Sequence, residues 1–64
     1  MIRTLVEALE DGFLVEPTLT RGSRTFGPLG WTLEARWAPE HGGSTFRGES
    51  STLGHLLATP VLDA

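Results

Sequence analysis

The sequence predicts a small α+β domain with an α-β-β-β-α order, in which a three-stranded antiparallel sheet has both helices packed on one face. Three observations predict it. Apolar residues near the N-terminus recur at helical spacing, residues 31–37 alternate strictly between apolar and polar, and a leucine-rich stretch ends at a proline. Sixty-four residues are enough for one domain, here residues 1–64.

The first helix is predicted over residues 2–11. Four apolar side chains fall at i, i+3, i+4 and i+7, which places them on one face of a helix. These are Ile2, Leu5, Val6 and Leu9. Gly12 stands where a left-handed residue commonly ends a helix.

The first strand is predicted over residues 13–20, with Phe13, Val15 and Leu19 directed inward. Pro17 has no N–H for a strand ladder and is expected at an edge or a bulge. Residues 21–30 contain three glycines and a proline, which predicts a loop. We expect Phe26 and Leu29 in that loop to pack back onto the core.

A hairpin is predicted from strands at 31–37 and 44–50 joined by a turn at 38–43. Trp31 and Trp37 are expected in the core, because so short a chain has few large aromatics to bury. The preferred register keeps the apolar residues on one face and sets opposite charges across the strands. Its pairs are Trp37 with Ser44, Ala35 with Phe46 and Glu34 with Arg47.

A second helix is predicted over residues 52–59, capped by Ser50 or Ser51 and stopped by Pro60. Its leucines share a face, and Val61 and Leu62 follow as a packed tail. The sheet face opposite the helices is expected to be open and polar throughout. Its predicted residues are Glu16, Thr18, Thr20, Thr32, Glu34, Arg36, Thr45, Arg47 and Glu49.

Composition excludes several classes of site. The chain has no cysteine, so it can form neither disulfides nor thiolate metal sites. Its N-terminus lacks the basic start and apolar run of a signal peptide, and no apolar stretch is long enough for a membrane span, so a cytoplasmic protein is expected. The element order is also that of the double-stranded RNA-binding domain, but a chain with no lysine and a net charge of −3 is poorly suited to bind phosphates.

No pattern of catalytic, metal-binding or cofactor-binding residues is found. His41 beside Glu40 lies on a turn, and His55 lies on the polar side of the second helix, so neither has the three or four partners that a metal requires. The serines near His55 lack an orienting acid. The arginines of the 21–30 loop lead into a strand and not into a helix N-terminus that could hold an anion. We therefore expect no enzymatic activity, cofactor or metal.

The acids give the clearest functional signal. Residues 1–16 contain Glu7, Glu10, Asp11 and Glu16 against Arg3 alone, whereas acids and arginines balance in the rest of the chain. Arg3 at the start of the predicted helix and acids at its end also oppose the helix dipole. A solvated charged face with an Arg3–Glu7 pair is one interpretation. The other is an acidic patch that binds a basic protein surface.

The functional prediction is a small acidic protein-interaction module. In its most specific form it is a phage or mobile-element inhibitor of the anti-CRISPR type, which occupies a basic nucleic-acid channel of a larger complex as a nucleic-acid mimic. The short, apparently complete chain favours that form. The expected contact residues are Glu7, Glu10, Asp11 and Glu16, followed by Glu34 and Glu49. The alternative is a self-associating or antitoxin-like regulator, for example a homodimer joined through the strand that contains Pro17.

Overall fold

A computed structural model describes residues 2–62, with only the backbone of Leu62. It contains two α-helices, one 3-10 turn and five strands. In chain order these are β1 (Ile2–Thr4), α1 (Leu5–Glu10), β2 (Leu14–Ser23), β3 (Gly27–Trp37), the turn at Pro39–His41, β4 (Thr45–Ser50), α2 (Leu53–Leu57) and β5 (Pro60–Leu62). The strands form a three-stranded antiparallel sheet in the order β2-β3-β4 and a separate antiparallel pair of β1 with β5.

The three-stranded sheet and the two helices of the prediction are confirmed, but the α-β-β-β-α order is incomplete. Both ends of the chain add a short strand, and these strands pair with each other, with Arg3 opposite Val61. The predicted tail at residues 61 and 62 is therefore part of a β-ladder, and Val61 is buried. The side chain of Leu62 lies outside the described part of the chain.

The first helix is shorter than predicted because its first three residues are strand β1. Thr4 caps the helix: its hydroxyl accepts from the Glu7 N–H at 3.3 Å, and the Glu7 carboxylate accepts from the Thr4 N–H at 2.9 Å. Ile2, predicted on the buried stripe, is 67% exposed. The other end is as predicted, because Gly12 has a φ of 79° and the N–H of Phe13 donates to the carbonyl of Ala8 at 2.9 Å.

The loop predicted over residues 21–30 is wrong, because β2 and β3 continue through most of it. Only residues 24–26 connect them. Glycines at 22 and 27 have left-handed φ values, which allow the sharp turn, and the Ser23 hydroxyl accepts from the N–H groups of Thr25 and Phe26 at 3.1 Å each. Phe26 and Leu29 do not pack onto the core; they are 48% and 73% exposed.

Strand β2 also differs from its predicted alternation. Leu14, and not Val15, is the buried residue at its start, opposite Trp37. A bulge follows, in which Glu16 and Pro17 together face the single residue between Glu34 and Arg36. The bulge shifts the alternation by one residue, so that Leu19 returns to the apolar side, opposite Leu33. The prediction that Pro17 lies at an edge or a bulge is confirmed on both counts.

The register of the β3–β4 hairpin is confirmed. Ala35 faces Phe46 and Glu34 faces Arg47, while the Trp37 N–H donates to the Ser44 carbonyl at 2.8 Å. The turn between the strands ends at Gly42, whose φ of 107° is in the left-handed region. Strict alternation in both strands and opposite charges across them were sufficient to select this register.

The core is one cluster to which both helices and the sheet contribute. Its buried residues are Leu5, Ala8, Leu14, Leu33, Ala35, Leu56 and Val61. Trp31 and Trp37 are half-buried and pack against this cluster, so their prediction as core residues is only partly confirmed. Thr52, and not Ser50 or Ser51, caps α2 by accepting from the His55 N–H at 3.1 Å.

The molecule is elongated, with extents of 34 × 17 × 16 Å. The long β2–β3 hairpin extends past the rest of the sheet, and its end carries exposed apolar side chains at positions 26 and 29. Within residues 2–62, no helix has the length and apolar character needed to cross a membrane.

Candidate protein-interaction surface

The sheet face that carries Glu34 holds most of the exposed polar side chains of the three strands. Cross-strand pairing arranges the residues of this face, which include the apolar Val15, in rows that run from β2 through β3 to β4. The rows are Val15–Arg36–Thr45, Thr18–Glu34–Arg47 and Thr20–Thr32–Glu49. Opposite charges thus stand side by side at Glu34 and Arg47, which is the favourable cross-strand arrangement.

A shallow, open depression of about 230 Å³ lies on this face. Its lining includes two carboxylates, one guanidinium and two hydroxyls, contributed by Glu16, Glu34, Arg36, Thr18 and Thr45. Sites for small molecules are usually deeper, larger and mainly apolar. This open, polar depression with both signs of charge differs from such sites.

Glu16 stands at the rim of this depression because of the bulge in β2. Its φ of 55° is in the left-handed region, and it is the only non-glycine residue with a positive φ within residues 2–62. A side chain with a β-carbon adopts that conformation at a cost of about 1 kcal/mol or more. Glycine or asparagine would fit the bulge with less strain, so a glutamate at this position is unfavourable for stability alone.

The other predicted contact acids differ in how far the fold already uses them. Glu7 is part of the helix cap, and hydrogen bonds from the backbone and the hydroxyl of Thr4 lower the pKa of its carboxylate. Asp11 pairs with Arg3, whose Nη1 lies 2.9 Å from its carboxylate. Glu10 is exposed on α1.

The Arg3–Asp11 pair changes the interpretation of the first helix. Arg3 precedes the helix, in β1, and its guanidinium also lies 4.1 Å from the centre of the Phe13 ring. Its ion pair is with Asp11, whereas the sequence suggested a pair with Glu7. The acid at the helix end therefore has a structural partner, and the apparent conflict with the helix dipole is partly compensated.

Glu49 lies under the end of the β2–β3 hairpin and not on an open surface. Its two oxygens accept from the Arg24 N–H at 3.0 Å and the Thr25 hydroxyl at 3.1 Å. Neighbouring Thr32 is buried, and its hydroxyl donates to the Gly22 carbonyl at 2.7 Å. The prediction that this face is open throughout is wrong at this end, because the hairpin bends back over it.

The hydrogen bond from the Arg24 backbone is the main reason that the pKa of Glu49 is lowered, with a smaller contribution from the Thr25 hydroxyl, against an opposing effect of burial. A lowered folded-state pKa means that this contact stabilises the fold fully above the ordinary carboxylate pKa. The contribution is lost as pH falls through the lowered value.

We expect acid titration followed by NMR to move the Arg24 and Thr25 amide signals together, and Glu49→Gln to abolish that transition. An unchanged transition in the variant would contradict the assignment.

The two histidines do not line the depression. His41 packs its ring 4.5 Å from that of Phe13, and His55 is exposed on α2. In the described range no three histidine, aspartate or glutamate side chains come close enough together to hold a metal ion.

The sequence singled out Glu16 and Glu34, and the structure brings these two to one depression. The sequence also predicted Thr18, Arg36 and Thr45 on the same polar face, but it did not predict that they line a depression with the two glutamates. The alternation in β3 and the hairpin register were sufficient to place Arg36 beside Thr45. The bulge, which places Thr18 next to Glu34, was signalled only by Pro17.

Comparison with protein-family models, with curated proteins and with solved structures finds no match for this chain.

Proposed function

We propose that the chain is a small protein-interaction module, and that it binds a basic surface of a larger protein through the depression lined by Glu16 and Glu34. The observation that carries the proposal is the position of these two carboxylates. Both are exposed at an open depression, whereas the carboxylates of Glu7, Asp11 and Glu49 are engaged within the fold. Arginine or lysine side chains of a partner are the natural complement.

The mixed composition of the depression supports specificity. Arg36 and Thr45 line the depression together with the two carboxylates. A partner that fills it must therefore place its cations beside Glu16 and Glu34 and an acceptor beside Arg36. Such an arrangement rejects partners that carry charge of one sign only. Strain at Glu16 further supports a role in binding, because strained backbone is concentrated at functional sites.

The more specific form of the proposal is an inhibitor of the anti-CRISPR type. In that form the basic surface belongs to a nucleic-acid-handling complex, and the chain takes the place of the phosphates. The net charge of −3 and the exposed carboxylates of Glu16 and Glu34 support it. Displacement of labelled nucleic acid from a purified CRISPR effector complex tests this form separately from the general one.

The general proposal is tested with a double variant, Glu16→Asn with Glu34→Gln. Asparagine tolerates the left-handed conformation at position 16, and glutamine retains the shape of Glu34, so the fold is expected to persist. We expect binding of a short peptide containing arginine and lysine to weaken about tenfold, because two partly desolvated charge pairs are lost. Titration calorimetry at low salt gives the affinity, and amide shifts map the contact.

The matched control is Glu10→Gln with Glu40→Gln. It removes the same number of charges from exposed positions that do not line the depression. We expect it to bind the peptide almost as the unaltered chain does, with a small loss from long-range attraction. An equal loss in both double variants would mean that net charge alone drives binding, and the proposal would be rejected.

The alternative of a homodimer joined through the Pro17 strand has less support. β2 is an edge strand, but the bulge at Glu16 and Pro17 interrupts the regular ladder that a second chain would need. Bulges and prolines are features by which natural edge strands avoid such pairing.

A further inference from the structure

Strand β4 is the second edge of the sheet, and it lacks the features that interrupt β2. The strand order leaves one side of β4 without a neighbouring strand. Residues 45–50 contain no proline, and pairing with β3 continues without a shift from Arg36 to Trp31. An uninterrupted edge is a template for pairing with another strand.

The backbone groups on the outer side of β4 can be identified from the ladder. Trp37 donates its N–H to the Ser44 carbonyl, so Trp37 and Ser44 form a hydrogen-bonded pair. Bonded and non-bonded pairs alternate in an antiparallel ladder, so Phe46 and Gly48 also bond to β3. The backbone groups of the residues between them therefore point away from β3. These residues are Thr45, Arg47 and Glu49.

None of those outward backbone groups has a hydrogen-bond partner within residues 2–62. Thr45 and Arg47 are exposed. Glu49 is half-buried, because its carboxylate accepts a hydrogen bond from the Arg24 N–H at the end of the β2–β3 hairpin. The edge is thus available along most of its length.

We propose that β4 pairs antiparallel with β4 of a second copy of this chain, with Gly48 facing Gly48 across a two-fold axis. In this register Arg47 lies opposite Glu49 of the second copy, and Glu49 lies opposite Arg47 of the second copy. Both are outward-bonding residues, so they form the hydrogen-bonded pairs of the new ladder. The pairing joins two three-stranded sheets into one of six strands.

Charge complementarity favours this register, and it favours a second copy of the chain as the partner of β4. A register centred on Arg47 would also match the bonding pattern, but it sets two arginines opposite each other. Within one chain the Arg47 Nη2 already lies 3.6 Å from the Glu49 carboxylate. The Gly48-centred register adds the Glu49 of the second copy beside each Arg47, and so sets two further opposite-charge pairs symmetrically. Gly48 adds no side chain at the axis, where the second backbone approaches most closely. The proposal is independent of the Glu16–Glu34 depression.

Sedimentation equilibrium and concentration-dependent hydrogen exchange test the proposal on the unaltered chain. We expect a reversible dimer, with the Arg47 and Glu49 amides gaining protection as concentration rises, because only in the dimer are they bonded. A monomer at all concentrations would overturn the proposal, as would a dimer that protects β2 amides. Protection of these two amides only on addition of another protein would assign the edge to a different partner and would also overturn it.

Substitutions at position 47 test the register. Arg47→Thr loses both charge pairs, and we expect the dimer dissociation constant to rise about tenfold. In the Arg47-centred register the same change would remove a repulsion and tighten the dimer, which would overturn the proposal. The control is Arg24→Thr, an identical change at an exposed position on the hairpin end. It is expected to leave dimerisation unchanged.

A proline at position 47 tests the backbone contribution. The Arg47 N–H is not used in the β3–β4 ladder, so Arg47→Pro removes an outward donor without breaking a bond to β3. We expect a folded monomer. A folded Arg47→Pro variant that still dimerises would overturn the proposal. If that variant does not fold, the hydrogen-exchange result and Arg47→Thr decide the question.

Discussion

Leu56→Ala is expected to leave the chain largely unfolded. Leu56 lies on α2, is fully buried and belongs to the cluster that joins α1, α2 and the sheet. Truncation of a buried leucine to alanine costs about 2 to 5 kcal/mol. A chain of this length has a total stability of roughly 3 to 10 kcal/mol, with small domains at the lower end.

The surroundings of Leu56 indicate that the loss of stability in Leu56→Ala lies in the upper part of that range. A β-carbon built at Gly48 would lie 3.3 Å from a Leu56 methyl group, so this leucine fills the space that the glycine leaves. When Leu56 is truncated, Gly48 has no side chain that could fill the vacated space, so a cavity remains. Chemical denaturation followed by circular dichroism measures the loss.

Leu29→Ala is the matched control for this prediction. It is the same chemical change, on β3, at a position that is 73% exposed. We expect a loss of less than about 0.5 kcal/mol, as for other surface substitutions. Similar losses at both positions would show that the cluster around Leu56 is not the stabilising core.

The parts of the fold that the sequence predicted well are those with an uninterrupted local pattern. The β3–β4 register followed from alternation and charge pairing, and the end of α1 followed from Gly12. The β1–β5 pair could not be derived in this way, because it joins the two ends of the chain through three residues each. The Thr4 and Glu7 capping box was visible in the sequence and would have moved the helix start.

The long hairpin was missed because its glycines indicate a loop and a strand irregularity equally well. Gly22 and Gly27 lie within or at the ends of strands, where their left-handed φ values allow a bend. The bend brings residues 24 and 25 over Glu49. A local pattern cannot indicate that contact, since it joins positions more than twenty residues apart.

The candidate site was predictable residue by residue but not as a group. Glu16 and Glu34 follow from charge counting and alternation, whereas their common depression depends on the bulge. Glu7, Asp11 and Glu49 carry the same charge as Glu16 but have partners within the fold. In the sequence, all these carboxylates carry the same charge. Only the three-dimensional contacts distinguish the carboxylates that are bonded within the fold from those that stay exposed.

Trp31→Ala is expected to destabilise the protein by about 2 to 3 kcal/mol, less than the cost for a fully buried tryptophan. Trp31 is half-buried against the core, between Arg21 and Ser50 in the cross-strand register. The Arg21 guanidinium lies 4.4 Å from the centre of its ring and covers its outer side. The ring therefore closes the core at the hairpin end, and its removal exposes apolar surface beneath.

Arg21→Ala separates the two contributions at this position. It leaves the tryptophan ring in place and removes only the cation–π contact, which is worth about 0.5 to 1 kcal/mol at an exposed site. Denaturation of both variants, together with titration of the basic peptide, gives the outcome. A Trp31→Ala variant that retains full stability but no longer binds the peptide would transfer the interaction surface from the Glu16–Glu34 depression to the tryptophan face. We expect the reverse, because the carboxylates that a basic partner needs line the opposite side of the sheet from this ring.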